Sequence, residues 1–289
     1  MVIRMIEDAI VETIRKASIY LPPDVKEALK RAYEQEKSNT AKAQLRAILD
    51  NVELAEKLKR PICQDTGIMM FYVKAGYNFP ALNVIEGALI RATKRATQEI
   101  PLRPNSVNPF TGENSGDNTG RFIPYIHWEL VPGDEVEITV VPKGGGSEYP
   151  AVYRMIPPGR GLEGLKETVV DAILSAGAMP CPPTIVGVGV GGGADIAMTL
   201  AKKAATLRKI GSKNPDPQVA ELERRIYEGI NELGIGPMGV GGRATVLAVH
   251  IEWAHRHPAN YPVAVVFQCW AARRATVRIR ADGSYEISQ

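Results

Sequence analysis

The densest chemistry in this chain lies in Pro61-Ile62-Cys63-Gln64-Asp65-Thr66-Gly67, where a thiol, an amide, a carboxylate, a hydroxyl and a flexible turn residue are consecutive. A proline ends the helical pattern before it and the apolar run Ile68 to Val73 follows it, so the stretch reads as a loop between a helix and a strand. Two further cysteines also sit at element ends: Cys181 among Pro180, Pro182 and Pro183, and Cys269 after the apolar run Val263 to Gln268. Far apart in sequence, the three can meet only through the fold. If they meet, three thiolates can hold an iron–sulfur cubane with one iron left open. An open iron is a Lewis acid toward a hydroxyl and a carboxylate, which suits addition or removal of water without redox change. Three buried apolar thiols are the alternative.

Two other chemistries compete. Gly187-x-Gly189-x-x-Gly192 lies after a strand and before a helix, as in a dinucleotide fingerprint. A Rossmann unit needs a parallel strand directly after that helix, whereas here a polar linker, residues 211–217, and another helix follow. The glycines then serve close packing or hold an anion at a helix N-terminus. His250, His255 and His257 suggest zinc, but there is no Cys-x-x-Cys and no His-Glu-x-x-His. Lys143-Gly144-Gly145-Gly146-Ser147-Glu148 offers converging backbone N–H groups, an anion-binding nest or a flexible turn. Residues 101–121 carry no periodicity and many turn formers, marking a long functional or disordered loop that contains Arg103.

These segments need elements to position them. Ile3, Ile6, Ile10 and Ile14 predict a first amphipathic helix; Asp24 with Glu27 opens a second as a capping box. A third runs from about Asn39 to Lys59, with Leu45, Ile48, Leu49, Val52, Leu54 and Leu58 as its apolar positions. Helices are also predicted at about 82–99, 162–176, 194–209 and 218–233. Strands are predicted at 68–73, 122–130, 135–141, 184–190, 244–251, 263–267 and 276–280. Pro132-Gly133-Asp134 joins the second and third of these as a hairpin. The fold class is α/β, with mixed sheets, local hairpins and a helical N-terminal region over residues 1–60, in a single domain of residues 1–289.

Composition fits a globular chain: 45% hydrophobic, 23% charged, 35 basic against 32 acidic residues. A net charge of +3 without a basic run argues against nucleic acid as the main partner. No apolar run is long enough to span a membrane, and the first eight residues carry the acids Glu7 and Asp8 where a secretory signal would carry its apolar stretch. A cytoplasmic, reducing setting without structural disulfides is the expectation.

The blocks Cys63-Gln64-Asp65-Thr66-Gly67, Pro101-Leu102-Arg103-Pro104-Asn105, Lys143 to Glu148 and Cys269-Trp270-Ala271-Ala272-Arg273-Arg274 together resemble the class I fumarate hydratases and the related tartrate dehydratases, in order and over nearly the whole chain. The resemblance implies a [4Fe-4S] cluster on Cys63, Cys181 and Cys269. It implies dicarboxylate contacts from Gln64, Arg103 and the Gly146 backbone, and polar active-site roles for Asp65 and His257. Single-chain members are much longer, and two-subunit members have an alpha chain of about this size. The implied partners are therefore a beta subunit and a second alpha chain. The implied reaction is reversible hydration of fumarate to (S)-malate; dehydration of tartrate and a non-catalytic iron–sulfur scaffold are the alternatives. Further arginines, a lysine and a C3 proton-transfer threonine belong to the other domain, so the chain alone is expected to be nearly inactive.

Overall fold

The computed structural model describes residues 2–289, with side chains from Arg4 onward; the expected apolar position Ile3 lies outside the described side chains. The helices are α1 (Val2–Ile19), α2 (Pro23–Gln35), α3 (Asn39–Leu58), α4 (Ile85–Glu99), the single turn α5 (Gly145–Glu148), α6 (Gly161–Ala176), α7 (Ala194–Leu207) and α8 (Pro217–Glu232). The strands are β1 (Ile68–Gly76), β2 (Tyr125–Val131), β3 (Val136–Lys143), β4 (Val152–Met155), β5 (Thr184–Gly192), β6 (Val246–Arg256), β7 (Pro262–Gln268), β8 (Ala275–Ile279) and β9 (Tyr285–Ser288). The chain is thus mixed α/β with a helical N-terminal region. Two compact units form: the described part of Met1–Pro22 with Asn51–Gly145 and Arg273–Gln289, and Pro23–Asp50 with Gly146–Ala272. No helix among the described residues is long and apolar enough to cross a membrane.

In the first unit a five-stranded sheet runs in the order β2-β1-β3-β8-β9. Alternate residues of β1, Met69, Phe71, Val73 and Ala75, share one core with Ile6, Ile10 and Ile14 of α1 and Leu89, Ala92 and Ala96 of α4. Burying each such large aliphatic side chain contributes about 1.5–3 kcal/mol. Strands β2 and β3 do not form the expected hairpin, because β1 lies between them, parallel to β2 and antiparallel to β3. The end of β1 occupies the turn instead: Gly76, Tyr77 and Asn78 donate N–H bonds to Glu135, Val131 and Gly133. A Cβ on Gly76 would meet Gly133 O at 2.4 Å, so that close approach needs a glycine. A local hairpin does form between β8 and β9. On α3, Leu45, Ile48, Leu49 and Val52 are buried as expected, but Leu54 and Leu58 are more than half exposed. The apolar stripe is shorter than its periodicity suggests.

In the second unit a four-stranded sheet runs β4-β7-β5-β6, with β5 parallel to β6 and antiparallel to β7. Val186 and Val188 of β5 face a core with Leu165, Val169 and Ile173 of α6 and Ile226 and Ile230 of α8. Gly187 and Gly189 alternate onto the other face, against α7. A Cβ there would lie 2.1 Å from Ala201 O and 1.9 Å from Ala197 O respectively. The fingerprint glycines therefore let a helix backbone lie directly on a strand. Asp216 caps α8 by accepting Gln218 N–H at 2.9 Å, with Pro217 in its first turn. Asp24 lies in the first turn of α2, where its carboxylate accepts Ile210 N–H at 2.8 Å.

Glu36, 5% exposed, secures the start of α3: it accepts N–H bonds from Lys37 at 2.8 Å, Ser38 at 3.0 Å and Arg243 at 2.8 Å. Burial pushes its pKa up, but the N–H groups of Ser38, Arg243, Lys37 and Ala244 outweigh burial and hold it below the ordinary 4.5. A depressed folded pKa stabilises above the unfolded value, and that stability disappears as pH falls through the folded value. Glu36→Gln should therefore lower the melting temperature most above pH 4.5, with the gap to the parent closing in more acidic buffer. Gly187→Ala should cost about 3 kcal/mol, read from denaturant unfolding, because neither backbone can move aside.

Candidate active site

Strand direction decides which loops share a sheet end. In the first unit Ile68 at the start of β1 pairs with Lys143 at the end of β3, and Val140 pairs with Ala275 at the start of β8. Tyr125 at the start of β2 lies beside Met70. Hence the loop carrying Cys63, Gln64 and Asp65, the loop carrying Arg103, the residues Gly144 and Gly145, and Arg273 all emerge at one end of that sheet.

Asp65 organises this end. Its Oδ1 accepts Gly67 N–H at 3.0 Å, its Oδ2 accepts Gly145 N–H at 2.8 Å, and its carbonyl accepts Nη2 of Arg273 at 2.9 Å. The glycine run does bind an anion through backbone N–H, and that anion is the protein's own Asp65. Gly144 has to be a glycine, since a Cβ would stand 2.9 Å from Asp65 Oδ2. Gly67, at φ +79, would bring a Cβ to 2.7 Å from Pro142 C. Cys63 and Asp65 are partly exposed and Gln64 is exposed.

The 101–121 loop is ordered by side chains standing in for regular structure. Arg103 N–H donates to Thr66 Oγ1 at 3.0 Å, and Asn105 donates to Gly67 O at 3.1 Å. Asn118, 1% exposed, anchors both sides: it donates to Arg103 O at 2.9 Å and to Thr97 Oγ1 at 3.1 Å, and accepts Asn105 N–H at 2.6 Å. Each bond contributes about 1 kcal/mol. The Arg103 backbone is thereby fixed against the cysteine loop while its side chain stays exposed, a suitable fork for a carboxylate.

In the second unit Cys181 precedes β5 and Cys269 follows β7. Antiparallel pairing of Ile185 with Gln268 puts both at one sheet end. Trp270 N–H donates to Cys181 O at 3.2 Å, joining the two segments directly. Cys181 holds a left-handed backbone, φ +55, uncommon without glycine. Val152 of β4 pairs with Val265, so Gly146, just before β4, lies toward the same end; a Cβ there would be 3.4 Å from Met179 O.

His257 is not brought to this group. It follows β6 and precedes β7, at the opposite end of the sheet, where Val190 pairs with Val263. About five strand residues at roughly 3.3 Å each separate the two ends. Exposed, its Nδ1 accepts Ala259 N–H at 3.1 Å.

Among the described residues no cysteine is in a disulfide, and none of the three is fully buried. Among the described residues no three His, Cys, Asp or Glu side chains gather as ligands of one metal ion; in a cubane each thiolate binds its own iron. A cluster fits the residues in two respects. Partly exposed thiols at element ends can be deprotonated ligands, and beside the Cys63 loop Arg273, 2% exposed, leaves Nε and Nη1 without acceptors. Such orphaned buried donors call for an anionic group. Sequence reasoning singled out neither Asn118 in the 101–121 loop nor Arg273 in the Cys269–Arg274 block, because burial and hydrogen bonding mark them and residue type does not.

Asp65→Ala should expose the Gly145 amide: its hydrogen exchange should accelerate by at least about tenfold, a loss of about 1.4 kcal/mol. Amides in the core strand β5 should be unchanged.

The fumarate hydratase (Fumerase) family model matches residues 7–278. A provisionally named L(+)-tartrate dehydratase subunit alpha of Methanocaldococcus jannaschii is 47% identical over 282 residues, covering 96% of this chain and 98% of its own. L(+)-tartrate dehydratase alpha subunits of Escherichia coli are 43% identical in strain UTI89 and 42% in strain K12, each over 270 residues, 93% of this chain and 89% of theirs. With most of its length matched, this chain belongs to the fumarate hydratase family.

Proposed function

We propose that residues 1–289 act as one functional part, the alpha subunit of a cytoplasmic iron–sulfur hydro-lyase for four-carbon dicarboxylates, with reversible hydration of fumarate to (S)-malate as its reaction. The observation that carries this reading is the sorting of site residues by sheet end: Cys63, Gln64, Asp65 and Arg103 in one unit, Cys181, Cys269 and Gly146 in the other. Cys63, Cys181 and Cys269 would hold a [4Fe-4S] cluster. When bound, the cluster supplies a Lewis acid at the iron lacking a cysteine.

The remaining chemistry belongs to the chain. Arg103 grips one substrate carboxylate, Gln64 hydrogen-bonds an oxygen of the same molecule, and the Gly146 backbone N–H assists. Asp65 keeps a second lone pair on each oxygen after accepting its two N–H bonds, and with these it orients the hydroxyl proton that is added or removed. His257 stands at the far end of its own sheet, so an imidazole role assigns it to the site of a second alpha chain, in line with alpha–alpha association. A beta subunit supplies the group that moves the C3 proton. The relatives' names favour a second reading, dehydration of L(+)-tartrate, which differs by one substrate hydroxyl.

The test is anaerobic reconstitution of the chain with iron, sulfide and a beta subunit, followed by separate assays on fumarate, (S)-malate and L(+)-tartrate. Turnover of fumarate and malate is expected; turnover of tartrate alone selects the second reading; a cluster without turnover of any of the three contradicts both. Arg103→Lys should lower kcat/KM by about 100-fold, because one charge-assisted fork is worth about 2.7 kcal/mol.

A further inference from the structure

Among the described residues Arg273 is the largest fully buried side chain, 2% exposed. A guanidinium stays charged at any working pH, yet this one forms no ion pair among the described residues. Nη2 donates to the Asp65 carbonyl at 2.9 Å, while Nε and Nη1 have no acceptor. Buried donors are almost always satisfied, so two on one cation leave room for an acceptor from outside the chain, and a cation favours an anionic one. Substrate is a poor candidate, since it must enter and leave, and the exposed Arg103 already suits its carboxylate. A permanently buried acceptor suits better. Arg273 holds the carbonyl two residues beyond Cys63 and follows Cys269 by four residues.

We propose that Arg273 donates N–H hydrogen bonds to sulfur of the iron–sulfur cluster, either a bridging sulfide or a ligating thiolate, and thereby raises the reduction potential of the cluster and slows its loss. This rests on the cluster assignment made above. Hydrogen bonds to cluster sulfurs withdraw negative charge and stabilise the reduced state. The same side chain pins the Asp65 loop, so cluster and substrate loop share one anchor. Arg273 is a positioning residue by this account, acting through the cluster and Asp65.

The experiment uses the anaerobically reconstituted alpha–beta enzyme, with nitrogen-15 arginine in the alpha chain alone and the cluster reduced to the paramagnetic state. Pulsed electron paramagnetic resonance should detect an arginine nitrogen coupled to the cluster. In Arg273→Lys that coupling should vanish, the midpoint potential should shift to more negative values, and cluster loss in air should accelerate severalfold. Should Arg273→Lys fail to fold, coupling that persists in both Arg103→Lys and Arg274→Lys assigns it to Arg273, and loss in either overturns the proposal. A normal cluster spectrum with no arginine coupling, or coupling that survives in Arg273→Lys, also overturns it while leaving the cluster assignment intact. Absence of any iron–sulfur spectrum instead defeats the cluster assignment, and this inference with it.

Discussion

Asp65 uses three oxygens to tie together segments distant in sequence: both carboxylate oxygens accept backbone N–H groups, and its carbonyl accepts a guanidinium N–H. Bonds to a charged acceptor contribute more than neutral ones, about 1.5–3 kcal/mol each. Much of the first unit's sheet end follows from that demand. Gly144 must lack a side chain to let the carboxylate approach, Gly67 must turn tightly into β1, and Arg273 must be buried to reach the carbonyl. Cys63 and Gln64, just before Asp65, inherit their positions from this anchor.

Strand direction does for the chemistry what no motif does alone. Within each unit, loops that precede parallel or alternate antiparallel strands emerge together, which is why cysteines, glycines and arginine scattered over two hundred residues fall into two groups. The glycine-rich β5 belongs to the scaffold. Gly187 and Gly189 let α7 lie on the sheet, while the valines between and before them fill the opposite core.

Local signals served well where the physics is local. The first helix was legible from isoleucine spacing, the ends of α6 and α8 from glycine and proline, and the long 101–121 loop from its turn formers. Failures came where distant segments intervene. Pro132-Gly133-Asp134 is a sound turn, but nothing nearby shows β1 inserting between the strands that it joins. Leu54 and Leu58 keep helical period without a partner to cover them. Arg273 reads as one of two adjacent arginines, both buried, and only its unsatisfied Nε and Nη1 distinguish it.

The central claim is that Cys63, Cys181 and Cys269 are ligands of one cluster. It is tested most directly by Mössbauer spectroscopy and iron analysis of iron-57-reconstituted protein, beside the three single Cys→Ser variants. The account predicts about four irons per chain, one of them spectroscopically distinct for want of a cysteine, and loss of the whole signal in every variant. A cluster that survives replacement of any one of the three cysteines would contradict it.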